Sequence, residues 1–170
     1  MQSDFLLREW QLTDKSSLAG NANNINVWNN VRDYFPHPYT EADAEQFIGD
    51  TLLKPKPSTD FAIVVGGKAV GGIGVVPQTD VERIAIEIGY WLGENYWNNG
   101  IMTNAVKQMT AYVFENFPVI KIYAPVFEFN DASKKVLEKA GFTLEAILKK
   151  SAIKNEQVID LYYYGLMKYK

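Results

Sequence analysis

The sequence predicts an α+β protein built on a mixed sheet. Three observations carry that prediction. Apolar strand-like runs and helical runs follow one another in the order strand, two or three helices, three strands, helix, strand, helix, two strands. A Gly66-Gly67 pair joins two apolar runs, as a hairpin turn does. Between Glu87 and Ala105 an apolar, aromatic run passes through a polar, glycine-marked turn into helical spacing. Residues 1–170 read as a single domain, long enough for a substantial core.

Taken in order, Phe5 to Leu12 reads as the first strand, and Thr13-Asp14 is placed to cap a helix running to Ala22. The asparagine-rich stretch from Asn21 to Asn30 breaks that helix and restarts it. Val31 to Tyr39 cannot be regular helix, because Pro36 and Pro38 fix an extended or turning path. Thr40-Glu41-Ala42-Asp43 resembles a capping box and starts a helix ending near Leu53. Lys54 to Ser58 is a proline-broken surface loop. Phe61–Val65 and Lys68–Val76 form the hairpin, and Arg83–Leu92 is the central strand. Gly71-Gly72-Ile73-Gly74 invites a phosphate-loop reading, which fails because no helix follows it. Asn99–Phe117 is a helix with Ile101, Ala105, Met109, Tyr112 and Val113 on its apolar stripe. Val119–Phe127 is a strand, and Asp131–Ala140 a short helix stopped by Gly141. Phe142–Ile153 and Gln157–Met167 close the chain as a hairpin.

Composition removes several function classes. Hydrophobic residues make up 47%, which argues against disorder. A net charge of −3 gives little support to sequence-independent nucleic-acid binding, so no direct nucleic-acid contact is expected. With no cysteine and one histidine, His37, neither a thiolate metal site nor a Ser-His-Asp triad is expected, and no metal is assigned. Met1-Gln2-Ser3-Asp4 lacks the regions of a signal peptide, and no apolar run approaches the roughly 20 residues of a membrane span. The expectation is a cytoplasmic protein without a membrane partner, a monomer or homodimer.

The stretch from Glu87 to Ala105 carries the chemistry. Strand, tight turn and helix together aim free N–H groups and a positive helix dipole at an anion. Gly100 lets a ligand approach the backbone, and Gly89 inside a strand marks a bulge or a close approach. The wording Glu87-Ile88-Gly89-Tyr90-Trp91-Leu92, then Trp97-Asn98-Asn99-Gly100-Ile101-Met102-Thr103-Asn104-Ala105, resembles the acetyl-CoA signature of the GNAT superfamily of N-acetyltransferases. It is most similar to the branch containing RimJ/RimL-type ribosomal-protein N-terminal acetyltransferases. The superfamily loop reads Arg/Gln-x-x-Gly-x-Gly/Ala. Trp97, Gly100 and Met102 hold the matching positions, with methionine departing from the small residue of the pattern. The resemblance covers nearly the whole chain, including Pro36-His37-Pro38-Tyr39-Thr40.

The resemblance implies the GNAT fold, a mostly antiparallel mixed sheet splayed between its fourth and fifth strands and flanked by helices. It implies acetyl transfer from acetyl-CoA to an amine acceptor, a protein N-terminus or a small molecule. Ile88, Gly89, Tyr90, Trp91 and Leu92 would pair with pantetheine. Asn98, Asn99, Gly100, Ile101, Met102 and Thr103 would meet the pyrophosphate. Asn130 would contact pantetheine, and Ser133 would lie near the sulfur and serve the leaving thiolate. Many members carry a tyrosine acid seven residues after that asparagine; here the position is Leu137. For the general base, Glu87 shares a strand face with Gly89 and Trp91 by alternation. Glu128 and His37 are further candidates, and a strand carboxylate paired with Arg83 or a neighbouring strand is the competing role for Glu87. Trp28, Arg32, Asp33, Tyr34, His37 and Tyr39 border the acceptor cleft in the family, where Asp33 could meet a cationic amine. The Tyr162-Tyr163-Tyr164 run reads as strand packing. The rival from another class is a non-catalytic acyl-CoA-binding or sensing module.

Overall fold

A computed structural model of the protein describes residues 4–169; the Met1–Ser3 part of the amino-terminal stretch read above lies outside the described residues. In chain order the elements are β1 (Leu6–Glu9), α1 (Lys15–Ala22), α2 (Ile25–Trp28), α3 (Glu41–Leu52), β2 (Asp60–Val65), β3 (Lys68–Pro77), β4 (Ala85–Leu92), α4 (Ile101–Asn116), β5 (Lys121–Phe127), α5 (Asp131–Lys139), β6 (Thr143–Lys154) and β7 (Gln157–Met167). Seven strands form one mixed sheet in the order β1-β2-β3-β4-β5-β7-β6, so the predicted fold class is the one observed. The contacts gather the chain into two compact units, Met1–Gly74 with Tyr90–Ile101, and Val75–Gly89 with Met102–Lys170.

In the first unit, β1, β2 and the start of β3 pair antiparallel. The hairpin turn uses left-handed residues at Gly66 (φ 55) and Gly67 (φ 79), a conformation glycine adopts without a Cβ penalty. The Gly71–Gly74 run lies inside β3. A Cβ on Gly71 would fall 2.6 Å from the Trp91 carbonyl oxygen, so strand packing accounts for this glycine without any phosphate. Trp10, Leu18, Tyr39, Ile48 and Val64 fill the core, with Phe35, Phe47 and Trp91 against it. The restart in the asparagine-rich stretch is built by Asn24, whose side chain caps α2 by accepting from the N–H groups of Asn26 and Val27. Thr40 and Asp43 form the capping box of α3.

Two local expectations need correction here. The first strand stops at Glu9, and Leu12–Asp14 form a 3-10 turn. Asp14 occupies the N-cap position of α1 but makes no side-chain cap. Its carboxylate accepts two hydrogen bonds of 2.7 Å from the Arg8 guanidinium, and a third, of 3.0 Å, from the Gln11 N–H. Two parallel bonds from a cationic guanidinium outweigh a cap bond from a neutral backbone N–H, so the ion pair takes the carboxylate.

In the second unit, β4 pairs parallel with β5 over Ala85–Lys121, Ile86–Ile122 and Glu87–Tyr123. β5 pairs antiparallel with β7, and β7 with β6. Ala105, Met109 and Val113 bury the predicted stripe of α4, joined by Val106. Asn130 caps α5, accepting from Ser133 N–H at 3.0 Å, and Gly141 ends it with φ 99. β6 is the outermost strand, exposed along most of its length. Its ladder with β7 shifts register between Leu148 and Ala152, where Lys150 has φ 51. Asp160 holds this bulge, accepting from Lys149 Nζ at 2.8 Å and from Lys150 N–H at 2.9 Å.

Candidate active site

β4 presents two faces because side chains alternate along a strand. Ile86 and Ile88 are buried, whereas Glu87 is half-buried and Gly89 is exposed. Gly89 differs from most strand glycines of this protein: a Cβ built on it meets nothing within 4 Å, and its φ is not left-handed. Neither packing nor backbone strain demands glycine there. Glu87 stands opposite Tyr123 in the parallel ladder with β5. Arg83 is engaged elsewhere, donating to the Asp80 carbonyl at 2.7 Å. Burial first, and then the Glu87 charge, push the Tyr123 phenol up to about 12.

The unit that contains Glu87 also contains Asn130 and Ser133. Ser133 is half-buried in the first turn of α5, and its N–H rather than its hydroxyl makes the cap. Lys134 fastens that turn: its ammonium donates to the Glu128 carbonyl at 2.5 Å and to Asp131 at 2.9 Å, and lies 4.2 Å from the Tyr162 ring centroid. Leu137, where a tyrosine acid would stand, is fully buried. Met102 is buried in α4, so its departure from a small residue is absorbed by the core, and Thr103 is half-buried beside it. The tyrosine run packs as strand residues do, with Tyr164 buried and Tyr163 stacked on Tyr123.

The first unit contains the remainder of the turn. Tyr90 and Trp91 are half-buried and Leu92 is buried. Trp97 donates from its indole to the Leu92 carbonyl at 2.7 Å, and Asn99 donates to the Trp97 carbonyl at 3.0 Å. Asn98 (φ 61) and Gly100 (φ 74) are both left-handed immediately before α4, and Ile101 is buried at its start. Such a turn directs successive N–H groups to one side at a helix N-terminus. Glu94 ties this turn to α2, accepting from Asn24 at 2.7 Å and Asn26 at 2.9 Å.

The acceptor-side residues also lie in the first unit. Trp28 donates to the Phe35 carbonyl at 3.0 Å and stands 5.6 Å from the His37 ring. Arg32, Asp33 and His37 are exposed, and Tyr34 is 96% exposed. Tyr39 departs from expectation. It is 6% exposed within the core, and burial pushes its phenol up to about 12, so it offers no surface to an acceptor.

Sequence reasoning missed Tyr123, Lys134 and Glu94. Tyr123 stands in a strand whose partner is set by long-range register, and nothing local marks it. Among the described residues no group of three or more His, Cys, Asp or Glu side chains lies together to hold a metal, and no helix is long and apolar enough to cross a membrane.

Comparison with known proteins adds four findings. A family model described as "Acetyltransferase (GNAT) domain" matches residues 4–143. The uncharacterized N-acetyltransferase p20 of Bacillus licheniformis is 30% identical over 135 residues, 77% of this chain and 76% of its own. The ribosomal-protein-serine acetyltransferase of Escherichia coli (strain K12) is 28% identical over 95 residues, 55% of this chain, and the match spans 53% of that relative's length. Among solved structures, Mycobacterium smegmatis RimJ in complex with CoA-disulfide superposes with a TM-score of 0.86 at 18% identity, covering 98% of this chain and 83% of that one, a likeness of fold.

Proposed function

The chain belongs to the GNAT family of acetyltransferases, and from that premise we propose that it carries an acetyl group from acetyl-CoA to a primary amine, with the α-amine of a protein or peptide N-terminus as the favoured acceptor. It is an N-acetyltransferase. In our reading residues 1–170 act as one domain in the cytoplasm, as a monomer or homodimer, in the manner of the RimJ/RimL-type branch. The observation that carries the donor assignment is the bare backbone at Gly89, a glycine that no protein contact within 4 Å requires. A ligand lying along β4 supplies the reason for it.

On this reading the backbone of Ile88–Leu92 pairs with the amides of pantetheine, and an N–H near Gly89 or Tyr90 polarises the thioester carbonyl. The N–H groups of Asn98–Thr103 meet the pyrophosphate, with the left-handed turns at Asn98 and Gly100 and the start of α4 supplying favourable dipoles. Asn130 contacts pantetheine. Acetyl-CoA supplies an activated acyl carbon and a thiolate leaving group. Glu87 accepts the proton of the attacking amine, the new C–N bond forms as the C–S bond breaks, and Ser133 donates a hydrogen bond to the departing sulfur. No acyl-enzyme is involved. Trp28, Arg32, Asp33, Tyr34 and His37 form the acceptor side, where Asp33 meets a cationic amine. The amine class follows from chemistry: an α-amine of pKa about 7.7–8.0 is partly neutral at pH 7 and needs only one carboxylate as base, whereas a lysine or polyamine amine above 10 needs more. The similarity to a ribosomal-protein-serine acetyltransferase supports the same acceptor class.

Thiol release from acetyl-CoA across N-terminal peptides, polyamines and aminoglycosides tests the assignment, with donor affinity measured in parallel by calorimetry. Release with the peptides is expected. Tight donor binding without release would favour the sensing module instead, and no binding would overturn the donor site. Two variants sharpen the test. Gly89→Val is accommodated by the protein, because the added side chain enters open space in a strand. It leaves the melting temperature unchanged and weakens acetyl-CoA binding tenfold or more, about 1.4 kcal/mol or greater. Ser133→Ala keeps the α5 cap, which uses the Ser133 N–H. It lowers kcat by about a hundredfold with little change in donor affinity.

A further inference from the structure

We propose that Glu94 is a positioning residue for the pyrophosphate turn: pinned to α2 by two asparagine amides, it fixes the backbone that leads into Asn98–Gly100. The inference rests on the reading of that turn as the pyrophosphate site, and it gives the asparagine-rich stretch a purpose beyond breaking a helix.

Both oxygens of the Glu94 carboxylate are engaged. Oε2 accepts from Asn24 Nδ2 at 2.7 Å, and Oε1 accepts from Asn26 Nδ2 at 2.9 Å. The donors are themselves fixed. Asn24 Oδ1 accepts from the Asn26 N–H at 2.7 Å and the Val27 N–H at 3.3 Å, so one end of its amide caps α2 while the other holds Glu94. Aspartate in its place would cap the helix but repel the carboxylate; asparagine does both jobs. The two amides also hold the Glu94 carboxyl below its ordinary 4.5, so it is anionic at neutral pH. Hydrogen bonds to an ionised acceptor are shorter and stronger than neutral ones. All of these residues lie in the first unit, together with the turn itself.

From Glu94 the restraint passes along the chain. Glu94–Tyr96 is a 3-10 turn, closed by the Tyr96 N–H on the Gly93 carbonyl at 2.9 Å and the Trp97 N–H on the Glu94 carbonyl at 3.1 Å. Asn99 Nδ2 then donates to the Tyr96 and Trp97 carbonyls at 3.3 Å and 3.0 Å, across the left-handed Asn98. Short bonds therefore join Glu94 to the residue before Gly100. At the strand end, the Gly93 N–H donates to the Val70 carbonyl at 2.8 Å, and a Cβ on Gly93 would fall 2.3 Å from Asn21 Oδ1. Backbone pairing and close packing hold that side, and Glu94 ties the other to α2. A turn fixed before its anion arrives loses less freedom on binding. The sign of the effect is diagnostic. A carboxylate acting through its charge would repel the pyrophosphate, and its removal would tighten binding. A carboxylate acting as an anchor gives the opposite result.

The test compares two donors with the full chain: acetyl-CoA, and S-acetylpantetheine, which lacks the pyrophosphate. The wild type is expected to use acetyl-CoA with the lower KM, and equal KM values would overturn the reading of the turn itself. Glu94→Ala raises the acetyl-CoA Kd about fivefold, the scale of coupled neighbours, and lowers kcat/KM for acetyl-CoA about fivefold more than for S-acetylpantetheine. Asn26→Ala keeps the Asn24 cap of α2, acts in the same direction, and adds nothing in the Glu94→Ala background. Equal losses with both donors show a structural role and overturn the proposal while the turn reading survives. Tighter acetyl-CoA binding in Glu94→Ala, or additive losses in the double variant, overturn it as well.

Discussion

Glu87→Gln leaves the protein folded and lowers kcat by about 10²–10⁴-fold, the span that general-base catalysis contributes. Glutamine preserves the size of the side chain, so β4 loses charge and basicity but little packing. Donor affinity is unchanged, because the assigned donor contacts on this strand are backbone groups from Ile88 onward. The deficit depends on pH in a defined direction. An α-amine of pKa about 7.7–8.0 is mostly protonated at pH 7, and a missing base costs most there. As pH rises towards 9 the amine becomes neutral in solution, and the variant recovers relative to the wild type. Rate against pH for both proteins with one N-terminal peptide checks this. A deficit that is constant across pH would assign Glu87 to orientation rather than proton transfer.

The second large effect lies far along the chain from that chemistry. Asp14→Ala destabilises the protein by about 3–5 kcal/mol, the usual loss when one member of a buried ion pair is removed. Asp14 has a side-chain exposure of 6% and Arg8 one of 23%. The variant strands the guanidinium and deprives the Gln11 N–H of its acceptor. For a chain of this length the melting temperature falls by about 10 °C or more. Turnover per folded molecule is unchanged. The pair also has a pH signature. Burial pushes the Asp14 carboxyl up, but hydrogen bonds from Arg8 and Gln11 outweigh it, and the net displacement is below the ordinary 3.8. A lowered value in the folded state means stability that is complete above 3.8 and lost as pH falls through the lower value. Acid unfolding of the wild type therefore includes a contribution below pH about 4 that the Asp14 variant lacks, visible in denaturant midpoints measured at pH 7 and pH 3.

These two sites illustrate what could be read in the sequence and what could not. Order and type of the elements were legible because they depend on local signals: the Gly66-Gly67 turn, the Thr40–Asp43 capping box, the Asn130 cap and the α4 stripe each act within a few residues. Asp14 had the same local appearance as a cap, yet Arg8 across the 3-10 turn offered a stronger partner. Tyr39 stood among exposed neighbours in a proline-rich loop, and its burial is decided by Phe35 and the core around it. Glu87 was singled out by its strand and its family wording. Tyr123 needed the parallel register with β5, information held in no window of sequence around either residue.

The bulge in β6 bears on a hazard distinct from catalysis. An outer strand of 12 residues displays a row of unsatisfied N–H and C=O groups, and Leu144, Ile147, Leu148 and Ile153 expose apolar surface beside them. A straight strand of that composition would invite another chain to continue the sheet. The left-handed Lys150 kinks the template midway, and Asp160 pins the kink from the neighbouring strand. With Lys149 also engaging Asp160, the two lysines place charge at the break. The protein thus guards its solubility at the strand with the least cover, and Asp160 works against edge-to-edge aggregation without taking part in acetyl transfer.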